Sequence, residues 1–458
     1  MGADLVIASN RGPLSFALDD SGRAVPVGSA GGLAGALHPM LEGSGATWVA
    51  CAMSEADRKA TTEGLMTERG LRLVMVQPDT ETFRMAYDVV SNAGLWFTHH
   101  GLFDLPRRPR FDRHFAEAWD AYREVNRLFA GVVEDVADPG ATVLVQDYHL
   151  CLVPGLLARL RPDVRTVHFT HTPFAEPGML RVLPTAVARE LLEGMAGARA
   201  CGFHTARWES CFLACCADAG VSAPRTYVSP LTPAQDHLAE RAASPECVAA
   251  GERLEELLRG RRMVLRVDRI EPAKNLLRGF WAFDELLRTH PELRGTVVLL
   301  ALAYPSRQTL PEYLAYGAEV EQVARHVNET WGTDDWAPIV LDVADDADRS
   351  LAALVRYDVL LVNPLRDGLN LVAKEGPLVN AANGVLALSR EAGAFAELHG
   401  HALELNPFDV AGTAEVLARA LAMAPEERGR RAQGLRAVVD RRKPGDWLAD
   451  QLTAALAD

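Results

Sequence analysis

The sequence predicts an α/β protein built on two parallel β-sheets, each flanked by helices. Short runs of Val, Leu, Ile and Ala alternate along the chain with longer amphipathic segments, which is the pattern of parallel strands and crossover helices. The chain has 458 residues, of which 48% are hydrophobic, so it is long enough to form two cores rather than one. We therefore expect two domains of similar architecture.

The predicted strands fall into two groups along the chain. The first group is LVIAS, TWVACA, LRLVMVQ, TVLVQDY and TVHFTHT, and the second is MVLRVD, TVVLLALA, PIVLDVA, DVLLVNP and GVLALS. Between about Val221 and Gly251 the alternation stops, and four prolines occur in polar, Ala-rich sequence. We interpret that segment as the linker between the domains. Because ligands bind outside the carboxyl ends of parallel strands, we expect functional residues there.

Charge and cysteine content exclude several classes of protein. The formal net charge of -14 argues against nonspecific binding to nucleic acid or an anionic membrane, which needs an excess of Lys and Arg. The seven cysteines lack the spacing of a disulfide framework, so we expect mostly buried thiols in a reducing compartment. No signal peptide or membrane span is recognisable. We expect a cytoplasmic protein that binds neither nucleic acid nor a membrane, and a homo-oligomer is compatible with the sequence.

The most informative segment is NPLRDGLNLVAKEGP, residues 363–377. It joins a buried strand to a turn at Gly368 and then to a predicted helix that begins at Asn370. Free N–H groups at the start of a helix suit an anion such as a diphosphate. Asp367 is placed to bind sugar hydroxyls, and Glu375 to accept hydrogen bonds from ribose hydroxyls. On the residues alone, a simple helix cap with a solvated helix face explains the pattern equally well.

Basic residues follow strands of the second group. The segment RVDRIEPAKN sets Arg269 and Lys274 five residues apart across a turn, where both can converge on one diphosphate. The alternative is a surface salt bridge with Glu271 or Asp268. Arg307 lies in a loop directly after the next strand, at the same edge of the predicted sheet.

Polar turns also follow strands of the first group. Arg11 comes directly after the first strand, and Asp147 and His171 close two consecutive strands. A histidine after an apolar strand is more often structural than catalytic, but two consecutive polar turns favour a sugar pocket. Gly31 and Gly32 precede a predicted helix, where they form either a phosphate cradle or a flexible loop.

Taken together, these segments resemble the retaining glycosyltransferases that include trehalose-6-phosphate synthase. The motifs that carry the resemblance, in family order, are SNR, GGL, SNAGLW, VQDYHL, HTPF, VDRIEPAKN, PSR, LRDGLNLVAKE and NPFD. The resemblance implies the GT-B architecture, in which the parallel sheets of two Rossmann-like domains face each other across a cleft. The acceptor-binding domain would be residues 1–228 and the nucleotide-sugar-binding domain residues 229–443. A C-terminal helix, residues 444–458, would pack back on the first domain.

The resemblance also implies a reaction. Glucose would move from a nucleoside-diphosphate glucose, with GDP or UDP as the nucleotide, to glucose 6-phosphate, forming α,α-trehalose 6-phosphate without a metal or cofactor. No pair of carboxylates stands out as acid and nucleophile, so we favour front-face attack in which the departing phosphate takes the acceptor's proton. The alternatives are glucosylglycerol-phosphate synthesis, a pseudo-glycosyltransferase that couples cyclitols, and a catalytically silent regulatory protein.

Roles follow residue by residue from the resemblance. The catalytic residues would be Arg269, Lys274, Asp147, His171 and Asp367. The acceptor-binding residues would be Arg11, Trp48, Tyr87, Trp96 and Arg307. The donor-binding residues would be Gly31, Gly32, Asn370, Leu371 and Glu375.

Two departures from the family pattern lie beside the nucleotide. Asn275 stands where a Gly is usual, and Pro272 where an aromatic residue is usual. The segment TYVSPLTPAQD also replaces the usual sequence at the domain junction. These differences leave the identity of the donor base open.

Overall fold

The structure is a computed structural model of the chain, and its described residues form two compact units. It describes residues 2–27, 37, 40–41, 43–62, 67–68, 71–102 and 110–457. Unit 1 comprises Met1–Leu231 and Pro444–Asp458, and unit 2 comprises Thr232–Lys443. Each unit contains its own parallel sheet.

Unit 1 is built on an eight-stranded sheet. Its strands are β1 (Ala3–Ala8), β4 (Thr47–Cys51), β5 (Thr67–Glu68), β6 (Leu71–Val76), β7 (Ala137–Gln146), β8 (Arg165–Thr170), β9 (Ala200–Phe203) and β10 (Arg225–Val228). Their order in the sheet is β10-β9-β8-β7-β1-β4-β6-β5, and the pairs are parallel except β5 with β6. A separate antiparallel hairpin consists of β2 (Phe16–Leu18) and β3 (Ala24–Pro26).

The strand order of unit 1 creates a switch point between β1 and β7. From β1 the chain proceeds to β4 and β6 on one side of the sheet, whereas β7 to β10 build the other side. The helices that follow these two strands therefore leave in opposite directions. In open α/β sheets, ligands bind in the crevice that this reversal opens at the carboxyl ends of the strands.

Helices cover the sheet of unit 1. They are α1 (Glu55–Thr62), α2 (Thr80–Arg84), α3 (Arg113–Val136), α4 (Val153–Leu160), α5 (Pro177–Leu180), α6 (Thr185–Ala196), α7 (Ala206–Ala219) and α17 (Pro444–Leu456). A π-helical segment, Met85–Trp96, continues α2 and leads into a single helical turn, Phe97–His99. The C-terminal helix α17 packs on β7, β8 and β9, where its Ala455 lies in a buried cluster with Leu144 and Val167.

Unit 2 repeats this plan with six parallel strands. They are β11 (Arg262–Arg269), β12 (Val297–Tyr304), β13 (Ile339–Asp342), β14 (Val359–Val362), β15 (Val385–Ser389) and β16 (Leu403–Leu405). Their order, β13-β12-β11-β14-β15-β16, places the switch point between β11 and β14. The segments of unit 2 that are predicted to bind the donor follow these two strands.

The helices of unit 2 alternate with its strands. They are α8 (Gln235–Ala242), α9 (Pro245–Leu258), α10 (Leu276–Thr289), α11 (Pro311–Trp331), α12 (Ala347–Arg356), α13 (Val372–Val379), α14 (Phe395–Leu398), α15 (Val410–Leu421) and α16 (Pro425–Val439). A short 3₁₀ turn, Pro272–Lys274, leads from β11 into α10. Among the described residues, no helix has both the length and the apolar character needed to cross a membrane.

The structure confirms the predicted α/β class and all ten predicted strands, but the extent of the linker was wrong. The segment from Val221 to Gly251 contains β10, which pairs with β9, as well as α8 and half of α9. Pro245 occupies the first turn of α9, and the Ser244 side chain accepts the N–H of Cys247. Here a proline starts a helix, because its missing N–H would be unpaired there anyway. The prediction of buried thiols is confirmed, since all seven cysteines are buried and free.

Candidate active site

Three predicted site residues of unit 1 follow adjacent strands. Arg11 comes after β1, Asp147 after β7 and His171 after β8, and these strands are consecutive neighbours in the sheet. Because the strands are parallel, all three residues lie at the same edge, beside the switch point.

Asp147 is held in an unusual backbone conformation. Its φ of 70° is rare for a residue other than glycine. The carboxylate Oδ1 accepts the backbone N–H groups of His171 at 3.1 Å and Thr172 at 3.4 Å. The end of β8 therefore fixes this carboxylate, and such strained, over-determined positions cluster at functional sites.

His171 has protein partners at both ring nitrogens. Its Nε2 lies 2.9 Å from Oε1 of Gln146, and its Nδ1 lies 3.2 Å from Nε2 of His204. Burial holds the pKa of His171 well below its ordinary value, and the neighbouring His204 and His168 lower it further. The imidazole is therefore neutral at neutral pH and acts as a hydrogen-bonding group rather than as a cation.

Two predicted acceptor-binding aromatic residues lie on the π-helical segment. Tyr87 is half-buried and stacks between Phe83 and His149, with ring centroids 5.2 Å and 5.6 Å apart. Trp96 is buried and stacks on His100 at 4.0 Å. A π-helix is uncommon and frequently occurs at functional sites.

Trp48 does not lie where the resemblance suggested. We expected an aromatic contact to the acceptor, but Trp48 is fully buried in β4. Its Nε1 donates to Oγ of Ser9 at 2.8 Å, and that hydroxyl donates to the carbonyl of Arg11 at 2.7 Å. Trp48 therefore supports the turn that carries Arg11 from within the core. Gly31 and Gly32 lie outside the described residues.

In unit 2, Lys274 and Asp367 meet although 93 positions separate them. Lys274 Nζ lies 2.6 Å from Asp367 Oδ2, and the Asn370 side-chain amide donates to the same oxygen at 3.1 Å. Burial alone lowers the pKa of Lys274, but the attraction of Asp367 and Asp268 outweighs it and raises the pKa above its ordinary value. Lys274 is therefore a stable cation at the switch point between β11 and β14.

Glu271 joins two arginines that we had assigned to different substrates. Its Oε1 lies 3.1 Å from Nη1 of Arg269 and 2.6 Å from Nη1 of Arg307. Only 1% of the Glu271 side chain is exposed, compared with 11% for Arg307 and 42% for Arg269. The salt bridge between Arg269 and Glu271, which was the alternative interpretation, is therefore present. Its carboxylate is buried rather than on the surface. Sequence reasoning did not assign Glu271 to the site, although its place between two basic residues was a signal.

Contacts of Arg307 and of the neighbouring Ser306 fix the conformation of the loop after β12. Its φ is 46°, in the left-handed region, and its guanidinium also donates to the Tyr313 hydroxyl at 2.8 Å. Ser306 donates to Glu271 Oε1 at 3.1 Å. These contacts hold the guanidinium at the carboxyl end of β12.

The helix after β14 starts later than predicted. We expected a helix from Asn370, but α13 begins at Val372, and Asn370 has a φ of 77°. The Asn370 side-chain oxygen accepts the N–H of Ala373 at 3.1 Å, so Asn370, which precedes the N-cap position, pairs one of the N–H groups of the first turn. Leu371 directly precedes the first helical residue. That both residues offer backbone N–H groups to a ligand stays a prediction.

Glu375 lies in the first turn of α13, where its carboxyl group is desolvated. Burial raises the pKa of Glu375 to about 7, although Arg241 opposes the shift. A carboxyl group whose pKa burial raises to about 7 is a functional-site signal.

Asn275 explains one departure from the family pattern. Its φ of 60° is a conformation that favours glycine, but asparagine also tolerates it. The side-chain amide donates to the carbonyls of Asn363 at 3.0 Å and Pro407 at 2.8 Å. The loop therefore keeps a left-handed turn, and Asn275 ties it to β14 and to the NPFD segment.

Comparison with known proteins identifies the family. The profile of glycosyltransferase family 20 matches residues 3–457. A trehalose-6-phosphate synthase from Mycolicibacterium smegmatis is 33% identical, with 99% of this chain and 93% of that protein covered. A bifunctional trehalose-6-phosphate synthase/phosphatase from Thermoproteus tenax is 32% identical over 97% of this chain, which spans 62% of that protein.

Solved structures agree with these relatives. An E. coli structure bound with UDP-2-fluoro glucose is 27% identical, with a TM-score of 0.85 and 99% of each chain covered. A UDP-forming α,α-trehalose-phosphate synthase from Burkholderia xenovorans, solved with glucose-6-phosphate, is also 27% identical, with a TM-score of 0.85 over 99% of this chain and 100% of that one. The likeness confirms the predicted GT-B class with its two Rossmann-like units. Since the family profile spans nearly the whole sequence, the chain belongs to glycosyltransferase family 20.

Proposed function

We propose that the protein transfers glucose from a nucleoside-diphosphate glucose to glucose 6-phosphate, with retention at the anomeric carbon, and so forms α,α-trehalose 6-phosphate. The observation that carries this proposal is the cluster in unit 2 where Lys274 pairs with Asp367 and Glu271 pairs with Arg269 and Arg307. Apart from Glu271, these are the side chains that the family motifs assign to the diphosphate, the glucose and the acceptor phosphate. The names of the relatives support the same reaction.

On the donor side, the proposed chemistry is leaving-group stabilisation. Negative charge builds on the diphosphate as the glycosidic bond breaks, and the cations of Arg269 and Lys274 stabilise it. Lys274 suits this role because its pKa is raised and its ammonium group stays charged. Asp367 holds that ammonium group, and its carboxylate is the proposed partner of the hydroxyls of the donor glucose.

On the acceptor side, each unit contributes its own predicted groups. In unit 1, Arg11, Tyr87 and Trp96 are proposed ligands of the acceptor phosphate, and Asp147 accepts hydrogen bonds from the acceptor's hydroxyls. In unit 2, Arg307 is a further phosphate ligand. The departing phosphate takes the proton of the attacking hydroxyl, so no protein base is required. Retention follows because attack and departure occur on the same face of the sugar.

The proposal extends to the donor base and to the compartment. Glucose linked to UDP and glucose linked to GDP both remain donors in the proposal, because the residues around the base differ from the family pattern.

A cytoplasmic location is supported by the seven free, buried thiols, since a reducing compartment keeps cysteines in that state.

A nucleotide-release assay tests the reaction. UDP-glucose and GDP-glucose are each supplied with glucose 6-phosphate, glucose or glycerol 3-phosphate. We expect release with glucose 6-phosphate, little with glucose, and a clear preference for one nucleotide. Faster release with glycerol 3-phosphate than with glucose 6-phosphate would favour glucosylglycerol-phosphate synthesis instead. An absence of release with every pair would contradict the proposal.

A further inference from the structure

A buried arginine joins the two ends of the loop that carries Arg269 and Lys274. Arg266 lies on β11, and its side chain is fully buried. Its Nε and Nη2 donate to Oδ2 of Asp268 at 3.1 Å and 2.8 Å. Nη2 also donates to the main-chain carbonyl of Lys274 at 3.0 Å. One guanidinium therefore connects the end of β11 to the last residue of the 3₁₀ turn.

This connection spans the two predicted ligands of the diphosphate. Arg269 directly follows Asp268, and Lys274 ends the turn, so the two cations stand at opposite ends of one short loop. The hydrogen bond from the N–H of Lys274 to the carbonyl of Glu271, at 3.0 Å, shapes the turn from within. An arginine suits the bridge between the ends, because its donors are rigidly spaced in one plane whereas a lysine ammonium is a point charge.

Helix α10 leaves room for the guanidinium. At Gly279, in the first turn of this helix, an added β-carbon would lie 2.3 Å from Nη1 of Arg266 and 3.4 Å from Nδ2 of Asn363. A side chain at position 279 would therefore displace the guanidinium from its place. The backbone of α10 and the carboxylate of Asp268 together fix where Arg266 lies.

Stability alone does not account for a charged group at this place. Nη1 of Arg266 is buried and has no hydrogen-bond partner among the described residues, which costs free energy. Burial also raises the pKa of Asp268, although the charges of Arg266 and Lys274 oppose the shift. Because desolvation offsets much of the attraction within a buried ion pair, such a pair is a weak source of stability.

We infer that Arg266 is a positioning residue: by bridging the carboxylate of Asp268 and the carbonyl of Lys274, it sets the spacing between Arg269 and Lys274. Because Arg266 is buried, it acts on a ligand only through this loop. The kinetic consequences rest on the proposed function, in which the two cations bind one diphosphate. The spacing itself does not depend on the proposed function.

Arg266→Lys separates positioning from charge balance. The new ammonium group keeps a cation beside Asp268 but lacks the planar fork that also reaches the carbonyl of Lys274. We expect a crystal structure of the variant to show the Pro272–Lys274 turn displaced by about 1 Å, and kcat to fall by about 10²-fold. An unchanged turn in the variant would overturn the inference, whether or not the protein is a transferase.

Arg261→Lys is the matched control. Arg261 directly precedes β11, and its Nε and Nη2 donate to the carbonyl of Gly295 and to Oδ2 of Asp335, both at 3.0 Å. It therefore forms the same kind of bridge at the other end of the strand, away from the predicted diphosphate ligands. We expect this control to keep the wild-type kcat. An equal loss of kcat in both variants would mean that any lost arginine bridge in unit 2 has this effect, which also overturns the inference.

A second variant moves the guanidinium without removing its charge, and it serves if Arg266→Lys does not fold. Gly279→Ala places a methyl group against Nη1, whereas Gly251→Ala adds the same group to α9, where nothing lies within 4 Å. We expect isothermal titration with UDP and GDP to show a Kd about tenfold higher in Gly279→Ala for the nucleotide that the wild type prefers, and no change in Gly251→Ala.

The titration also distinguishes the two proposals. An equal Kd in Gly279→Ala and Gly251→Ala would overturn the positioning role of Arg266. If the wild type binds neither UDP nor GDP, the proposed function is contradicted instead. The crystal structure of Arg266→Lys then still decides whether Arg266 sets the spacing of the loop.

Discussion

Replacing Glu271 by Gln tests how strongly the site of unit 2 depends on one carboxylate. Glu271 is 1% exposed and its partner Arg307 is 11% exposed, so the variant removes the charge that Glu271 supplies to a buried guanidinium. Removing one member of a buried ion pair lowers the free energy of unfolding by roughly 3–5 kcal/mol. Because Gln retains one acceptor oxygen, we expect a loss at the lower end of this range, about 3 kcal/mol. The pair with Arg269 adds little, because that side chain is 42% exposed and screened by water.

The loss is measurable as a shift in the melting temperature. For a unit of about 200 residues, 1 kcal/mol corresponds to roughly 2–4 °C, so we expect the transition of unit 2 to fall by about 6–12 °C. Differential scanning calorimetry of Glu271→Gln and wild type gives this number. Glu285→Gln is the matched control, since its pair with Arg288 is exposed and 3.6 Å long, and we expect it to change stability by less than about 1 kcal/mol. If Glu271→Gln melts within 2 °C of that control, the account of a buried, shared carboxylate is refuted.

Three further predictions concern the same unit. Arg269→Ala should lower kcat by about 10²- to 10³-fold, the scale of losing one preorganised donor to a developing anion, and near-normal turnover in a steady-state assay would sink the donor-side chemistry. Arg307→Ala should raise the KM for glucose 6-phosphate much more than the KM for the nucleotide sugar, and an equal rise in both would mean that this arginine binds another group. Because burial raises the pKa of Glu375 from an ordinary 4.5 to about 7, the folded unit binds a proton that the unfolded chain releases. The unfolding free energy should therefore fall as the pH rises from about 4.5 to about 7, and urea titrations of Glu375→Gln should lack that slope.

The sequence was most informative where strands are buried on both faces. The apolar run of β12 is buried, and a short run of this kind predicts a strand. All ten strands predicted in this way are present. Shorter strands were not predicted. In β9, Gly202 is required because a β-carbon there would lie 2.4 Å from Phe169 and 2.5 Å from Tyr227. A sequence reader sees only a glycine that weakens the strand pattern, because the close approach depends on two distant rings.

The sequence predicted those residues of the candidate site that can be recognised within a single motif. Strand ends carry Asp147, His171 and Asp367, and parallel topology is enough to bring such ends together. Which side chains pair with one another was not predictable. Arg307 and Glu271 are 36 positions apart, and Gln146 and Gln451 are 305 apart, so these contacts depend on the completed fold. The prediction that Trp48 binds the acceptor was wrong. Trp48 matches an aromatic position of the family, but it is part of the core.

The measurement that tests the central claim most directly is the structure of the product. Purified protein is incubated with glucose 6-phosphate and the preferred nucleotide glucose, and the product is analysed by mass spectrometry and by NMR of both anomeric protons. The account predicts one phosphorylated disaccharide with two α-configured anomeric centres joined to each other, which is α,α-trehalose 6-phosphate. A β-configured centre from the donor would contradict the retaining mechanism, and a product without the second glucose would contradict the proposed acceptor.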